Sequence, residues 1–128
     1  MKNIAYFLLC SLFTMSVFAQ NPAPEAPIAD SVMVTVFLKH QQDKNLAEIG
    51  DILEKNKFWE QFPPKSAKVI SWYVMMGIGQ VVTVKIPGGG LREFNLSIEK
   101  GAWGAFDTEF YPTYDLYPVI KGKLTNRK

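Results

Sequence analysis

Residues 67–87 read AKVISWYVMMGIGQVVTVKIP. Two runs rich in β-branched and aromatic residues flank Gly77-Ile78-Gly79, and such residues suit a pleated, packed surface while the glycines supply the backbone freedom of a tight reversal. The stretch therefore predicts a β-hairpin. Outward from it, Val32 to Leu38 (VMVTVFL) is apolar on both parities, with Val32, Val34, Val36 and Leu38 on one face and Met33, Thr35 and Phe37 on the other. This is the pattern of a strand covered on both sides. Between the two, QDKNLAEIGDILEKNKFWEQF places Leu46, Ile49, Ile52, Leu53 and Trp59 at helical spacing. A helix is expected from a cap at Asp43 or Asn45 to a stop before Pro63 and Pro64.

After the hairpin comes IPGGGLREFN, in which three glycines precede a second helix expected over 91–100, with Leu91, Phe94 and Ile98 on one stripe and Gly101 as its stop. The glycines do not form a nucleotide loop. A P-loop needs a Lys-Ser or Lys-Thr pair closing GxxxxG, and a dinucleotide fold needs GxGxxG in a parallel βαβ unit. Glu93 already complements the helix dipole, so the stretch reads as a strand-to-helix corner. An aromatic connection, GAWGAFDTEFYP, leads to a last short strand expected around Tyr114 to Ile120, where Pro118 implies an edge position or a bulge.

The order strand, helix, strand, strand, helix, strand predicts an α+β fold of ferredoxin-like βαββαβ type, an antiparallel sheet with both helices on one face. Val81, Val82, Val84 and Ile86 repeat the two-sided apolar character of the first strand. Something must cover the other face, and a second copy packing sheet on sheet is the economical cover. A homodimer of the dimeric α+β barrel kind is therefore expected.

The N-terminus is read as an export signal over 1–19: Lys2, an apolar run from Ile4 to about Val17, and a Val17-Phe18-Ala19 end suited to signal peptidase. The apolar run is roughly 14 residues, short of the roughly 20 needed to span a membrane. Cys10, the only cysteine, belongs to that segment, so the expected mature chain carries no thiol and depends on its core alone. Residues 20–30 are expected as a proline-rich linker, 31–120 as the domain and 121–128 as a basic tail, giving a secreted and most naturally periplasmic protein with no membrane attachment after cleavage. The formal net charge of +2 is dispersed along the chain, which excludes an evident nucleic-acid footprint.

With the topology in hand, the features Trp72 followed by Gly77, the strand ending VTVKIP, the helix opening LREFN, and FYPTYDLYPV with Tyr111-Pro112 ahead of Asp115 resemble the muconolactone isomerase-like branch of the dimeric α+β barrel superfamily. The resemblance covers about residues 70–119 in sequence and 32–119 in topology. It implies a small apolar or aromatic acid or lactone as ligand and, where chemistry occurs, isomerisation without a cofactor.

Candidate site residues follow from chemistry. His40 is the only histidine and the natural proton carrier near neutrality. It has no second His or Cys in the expected mature chain to join it in an ordinary zinc or nucleophilic site. Asp115, set among aromatic rings, is the second proton-transfer candidate. Trp72, Tyr73 and Tyr111 are expected as ligand-binding walls. Neither a metal nor a cofactor is expected. The rings of Trp103, Phe106, Phe110, Tyr111, Tyr114 and Tyr117 could line a ligand pocket, but a dimer seam is the favoured reading, because the cover of the second sheet face must come from somewhere. The competing expectation is a non-enzymatic structural or ligand-sequestering dimer.

Overall fold

A computed structural model describes residues 30–126. The expected signal segment and most of the linker lie outside these residues. The chain builds β1 (Ser31–His40), α1 (Leu46–Lys55), α2 (Phe58–Gln61), β2 (Lys68–Met75), β3 (Gly79–Pro87), α3 (Leu91–Gly101), β4 (Phe106–Thr113) and α4 (Tyr117–Thr125). The strands form one sheet in the order β2-β3-β1-β4. Every neighbouring pair is antiparallel. This α+β architecture is compatible with a ferredoxin-like fold.

Alternation along each strand sorts the residues into two faces. On one face Val34, Val36 and Leu38 of β1 and Val82, Val84 and Ile86 of β3 are completely or almost completely buried. They pack with Ile49 and Leu53 of α1, Phe58 of α2, Phe62, and Phe94 and Ile98 of α3. The centre of this core is aromatic: Phe62 lies between Phe58 at 5.4 Å and Phe94 at 6.0 Å, and Phe94 meets Phe110 of β4 edge-on at 5.7 Å. Gly101 permits the close approach of α3 to α2, since a Cβ there would meet the Phe58 ring at 3.3 Å.

The hairpin forms as expected, with Gly77 at φ 83° and Gly79 at φ 144°. A Cβ on Gly79 would sit 2.2 Å from the Leu38 carbonyl oxygen, so only glycine allows β3 to start this close to β1. The PGGG stretch also turns a corner, as expected: Gly88 N donates to Asp30 O at 2.6 Å, Gly90 N to Pro87 O at 2.8 Å, and the Gly90 carbonyl accepts the first helical bond of α3 from Phe94 N.

Three expectations need correction. The first helical stretch is two helices. Lys57 takes a left-handed backbone at φ 53° and breaks it, and the break is held by Asn56 Nδ2 donating to Trp103 O at 2.9 Å and by Gln61 Nε2 donating to Asn56 O at 2.6 Å. The last strand is Phe106–Thr113, so the aromatic connection is itself β4. Residues 117–125, expected as the end of a strand and a frayed tail, form α4 instead. Pro118 stands in its first turn, where a missing N–H costs nothing, and the Asp115 carboxylate accepts from Tyr117 N at 2.9 Å. Among the described residues no helix is long and apolar enough to cross a membrane.

Candidate functional site

His40 ends β1, where the sheet meets the β1–α1 loop and the β2–β3 turn. Its backbone N donates to Ile78 O at 2.8 Å. Its ring stacks on Phe106 at 5.6 Å with an 18° tilt. These two contacts fix the imidazole at the mouth of an open cavity of 580 Å³ lined by residues 39–44, Gly77, Ile78 and Asp107. His40 also borders a smaller 250 Å³ cavity against Val74, Met75 and Met76. Gln41 Nε2 donates to Asp107 Oδ1 at 2.9 Å and orients that carboxylate on the cavity wall. The cavity thus brings together one imidazole, two carboxylates, Asp43 and Asp107, and two lysines, Lys39 and Lys44, with Ile78 as an apolar part of its lining. Such a mixture suits a small ligand with one polar end.

Asp115 is elsewhere. His40 pairs with Phe106 at one end of β4, and Asp115 lies beyond Thr113 at the other. Seven residue steps of extended chain separate the ends by about 23 Å. Within the chain the two proton-transfer candidates do not meet, and the Asp115 carboxylate accepts from Tyr117 N at the start of α4.

The expected ligand walls are likewise separated. Trp72 lies on the helix side of the sheet, its Nε1 donating to Gln80 Oε1 at 2.7 Å. It stacks on Trp59 at 5.8 Å and stands edge-on to Phe58 and Phe62. It is part of the core's rim. Tyr73, the next residue of the strand, faces the other side and is 69% exposed. Tyr111 shares that face with Tyr73 but lies on the opposite edge strand, β4.

Among the described residues, no helix covers that second face. Reading across β2, β3, β1 and β4, its successive rows are Met75, Gly79, Lys39 and Asp107; Tyr73, Val81, Phe37 and Glu109; Ser71, Thr83, Thr35 and Tyr111; Lys68, Lys85, Met33 and Thr113. Phe37 and Tyr111 meet edge-on at 6.3 Å. The Thr35 hydroxyl is hydrogen-bonded to Thr83 at 3.0 Å and accepts from Thr113 at 2.9 Å, a polar thread across the middle of the face. Lys39 Nζ donates to Glu109 Oε1 at 2.6 Å, and the Tyr111 hydroxyl donates to Glu109 Oε2 at 3.2 Å. The hydrogen bond from Lys39 holds the Glu109 carboxyl below its ordinary range, and the same bond raises the lysine. Sequence reasoning reached Glu109 only as one of three acids, with Asp107 and Asp115, whose pKa the neighbouring rings would raise, whereas Lys39 lowers it; it did not single out Lys39 or the threonine thread, although the alternation of β1 and β3 contained their common face. What it lacked was the register of β4.

Among the described residues, no three His, Cys, Asp or Glu side chains come together in a way that could hold a metal ion. No family model, curated protein or solved structure matches the chain.

Proposed function

We propose that the protein is an exported, periplasmic homodimer of the dimeric α+β barrel kind, related to the muconolactone isomerase-like branch, that binds a small apolar or aromatic acid or lactone. The observation that carries the dimer is the open sheet face. Phe37, Val81, Met33 and Tyr73 stand on it among threonines and a few charges, and among the described residues no element packs over it. Contiguous exposed apolar surface of this kind marks an interaction site. A second copy supplies an identical surface. The ligand belongs in the His40 cavity, where the imidazole can face a carboxylate or lactone oxygen and Ile78 the apolar body.

The separation of His40 from Asp115 favours binding or sequestration over chemistry. The second reading, a cofactor-independent isomerase, rests on His40 with Asp107 in the lining of the same cavity, since proton transfer needs an acid and a base within reach of one ligand.

The test is light scattering of the chain lacking residues 1–19 at low micromolar concentration. Twice the protomer mass is expected, and Phe37→Asp combined with Val81→Asp should give a monomer with an unchanged far-ultraviolet dichroism spectrum. A monomeric parent chain removes the proposal. Thermal shifts against aromatic acids and lactones then address the ligand, since a ligand at a hundred times its Kd stabilises by about 2.7 kcal/mol. Such a shift should be lost in His40→Ala.

A further inference from the structure

The β2–β3 turn gathers side chains that the proposed ligand and dimer leave unused. Ile78 N donates to Met75 O at 3.0 Å and closes the turn Met75-Met76-Gly77-Ile78, with Gly77 at φ 83° in its third position. His40 N donates to Ile78 O at 2.8 Å and ties the end of β1 to that turn. The His40 ring lies against Gly79, the cross-strand partner of Met75, since a Cβ there would meet His40 Cδ2 at 3.1 Å. Three residues with metal-donor atoms, His40, Met75 and Met76, therefore border one cavity of 250 Å³.

Packing does not account for Met76. It is 94% exposed, more than any other large apolar residue described, and turn positions in water are ordinarily polar, proline or glycine. Met75 beside it is also exposed. At a surface, what a methionine offers is a polarizable thioether on three rotatable bonds, free to swing toward a shared centre. The imidazole is equally available. Its ring is held by the stack on Phe106, and neither ring nitrogen is hydrogen-bonded among the described residues.

The donor set selects the ion. The lining of the cavity is completed by Gln42, Val74, Gly77, Ile78 and Gly79, so it holds no carboxylate and no lysine. Calcium and magnesium require oxygen donors, and zinc ordinarily takes thiolate, imidazole or carboxylate. Thioether sulfur selects Cu(I), and imidazole also suits copper. An uncharged cavity favours a monovalent ion further, because the cost of taking an ion out of water rises with its charge.

We infer that His40, Met75 and Met76 bind Cu(I) at the β2–β3 turn. The inference is independent of the organic ligand and of the dimer proposed above. The ion enters as Cu(I) and keeps its oxidation state, with the two sulfurs and one ring nitrogen each donating a lone pair. Because Met76 stands in water, the ion stays within reach of an incoming donor, which suits capture and hand-over.

The chain lacking residues 1–19 serves for the test, since it keeps every described residue and loses Cys10; its sulfur and imidazole donors are then His40, Met33, Met75 and Met76. Met33 is an internal control, for it lies six residues along β1 from Lys39, in whose row Met75 stands, at a distance of about 20 Å. Ag(I), which shares the preference of Cu(I) for sulfur and does not change oxidation state in the titration, is the first probe. Added to protein labelled at its methionine methyl groups, it should move the Met75 and Met76 methyl signals and the His40 ring signals together, saturating at one ion per chain, with Met33 unmoved. Cu(I) affinity follows from anaerobic competition with a chromogenic chelator. Met75→Leu with Met76→Leu, and separately His40→Phe, which keeps a ring on Phe106, should each weaken binding by at least about tenfold, the lower end of what even a residue supporting a metal ligand costs. Met33→Leu should bind as the parent does, and matching far-ultraviolet dichroism spectra separate loss of a donor from loss of the fold. Met75 and Met76 methyl signals that ignore Ag(I), a His40 ring that does not move with them, or variants that hold Cu(I) as tightly as the parent chain would overturn the site.

Discussion

Lys39 and Glu109 show how much a single cross-strand pair can reveal. Their bond lowers the carboxyl pKa and raises that of the amine, so the two titrations bound the pH window in which the pair exists. Because the folded-state pKa of Glu109 is depressed, its contribution is present above the ordinary carboxylate range and is lost as pH falls through the lowered value. Because that of Lys39 is raised, its contribution is complete below the ordinary lysine range and fades as pH rises through the elevated value. The pair is therefore intact throughout the neutral region. In an NMR titration, Lys39→Met should move the Glu109 carboxyl midpoint upward toward that of a free glutamate. Both groups are exposed in the chain, so the thermal midpoint should hardly change. An unmoved Glu109 midpoint would show that the bond is not formed in solution. Neighbouring residues carry a related lesson. Trp72 and Tyr73 were both expected to wall a ligand, yet successive residues of a strand point to opposite faces. The hairpin reading already implied that they could not share a pocket. It did not imply which face had the helices, because that depends on tertiary packing.

Elements were legible where the local signal and the tertiary demand agreed. Asn45 is the clearest case: its side chain accepts from Ala47 N at 2.9 Å and Glu48 N at 3.0 Å, and Glu48 returns a bond to the Asn45 backbone N at 2.8 Å. This capping box opens the helix at Asn45, one of the two caps, Asp43 or Asn45, that the sequence offered. Asn45→Ala should cost about 1 kcal/mol. For a domain of this size, that is a fall of about 4–8 °C in thermal midpoint by calorimetry. No fall would mean that α1 is held by Ile49 and Leu53 alone. The break at Lys57 was not legible, because a lysine carries no left-handed preference and the turn is imposed by Asn56 and Gln61 binding across it. Nor was α4. A proline after an aromatic run reads equally as an interrupted strand or as the first turn of a helix, and what separates them is the Asp115 cap. Its apolar residues Leu116, Tyr117 and Val119 are exposed, so no buried stripe marks it in the sequence.

At the scale of the molecule, the sheet has one satisfied face and one open face, and this imbalance has a thermodynamic signature. A domain of about 100 residues buries little surface relative to its size, so leaving Phe37, Val81 and Met33 uncovered removes a considerable share of its possible stabilisation. If a second copy covers them, unfolding and dissociation are coupled, and the thermal midpoint depends on protein concentration. With an unfolding enthalpy of about 0.7 kcal/mol per residue, the coupled transition should rise by about 5–8 °C between 1 and 100 μM. Phe37→Asp with Val81→Asp should melt lower and at a temperature independent of concentration. The comparison also separates the open face from the other exposed apolar region, the β2 edge, where Val69, Ile70 and Val74 are solvent-accessible. Were copies joined edge to edge through β2, the double variant would keep its concentration dependence, because Phe37 lies in β1 and Val81 in β3, both inside the sheet, and neither reaches that edge. A midpoint in the parent chain that stays flat across the hundredfold range would mean that the protomer is stable with this face in water, and that the threonine thread and the Lys39–Glu109 bond suffice to keep it solvated.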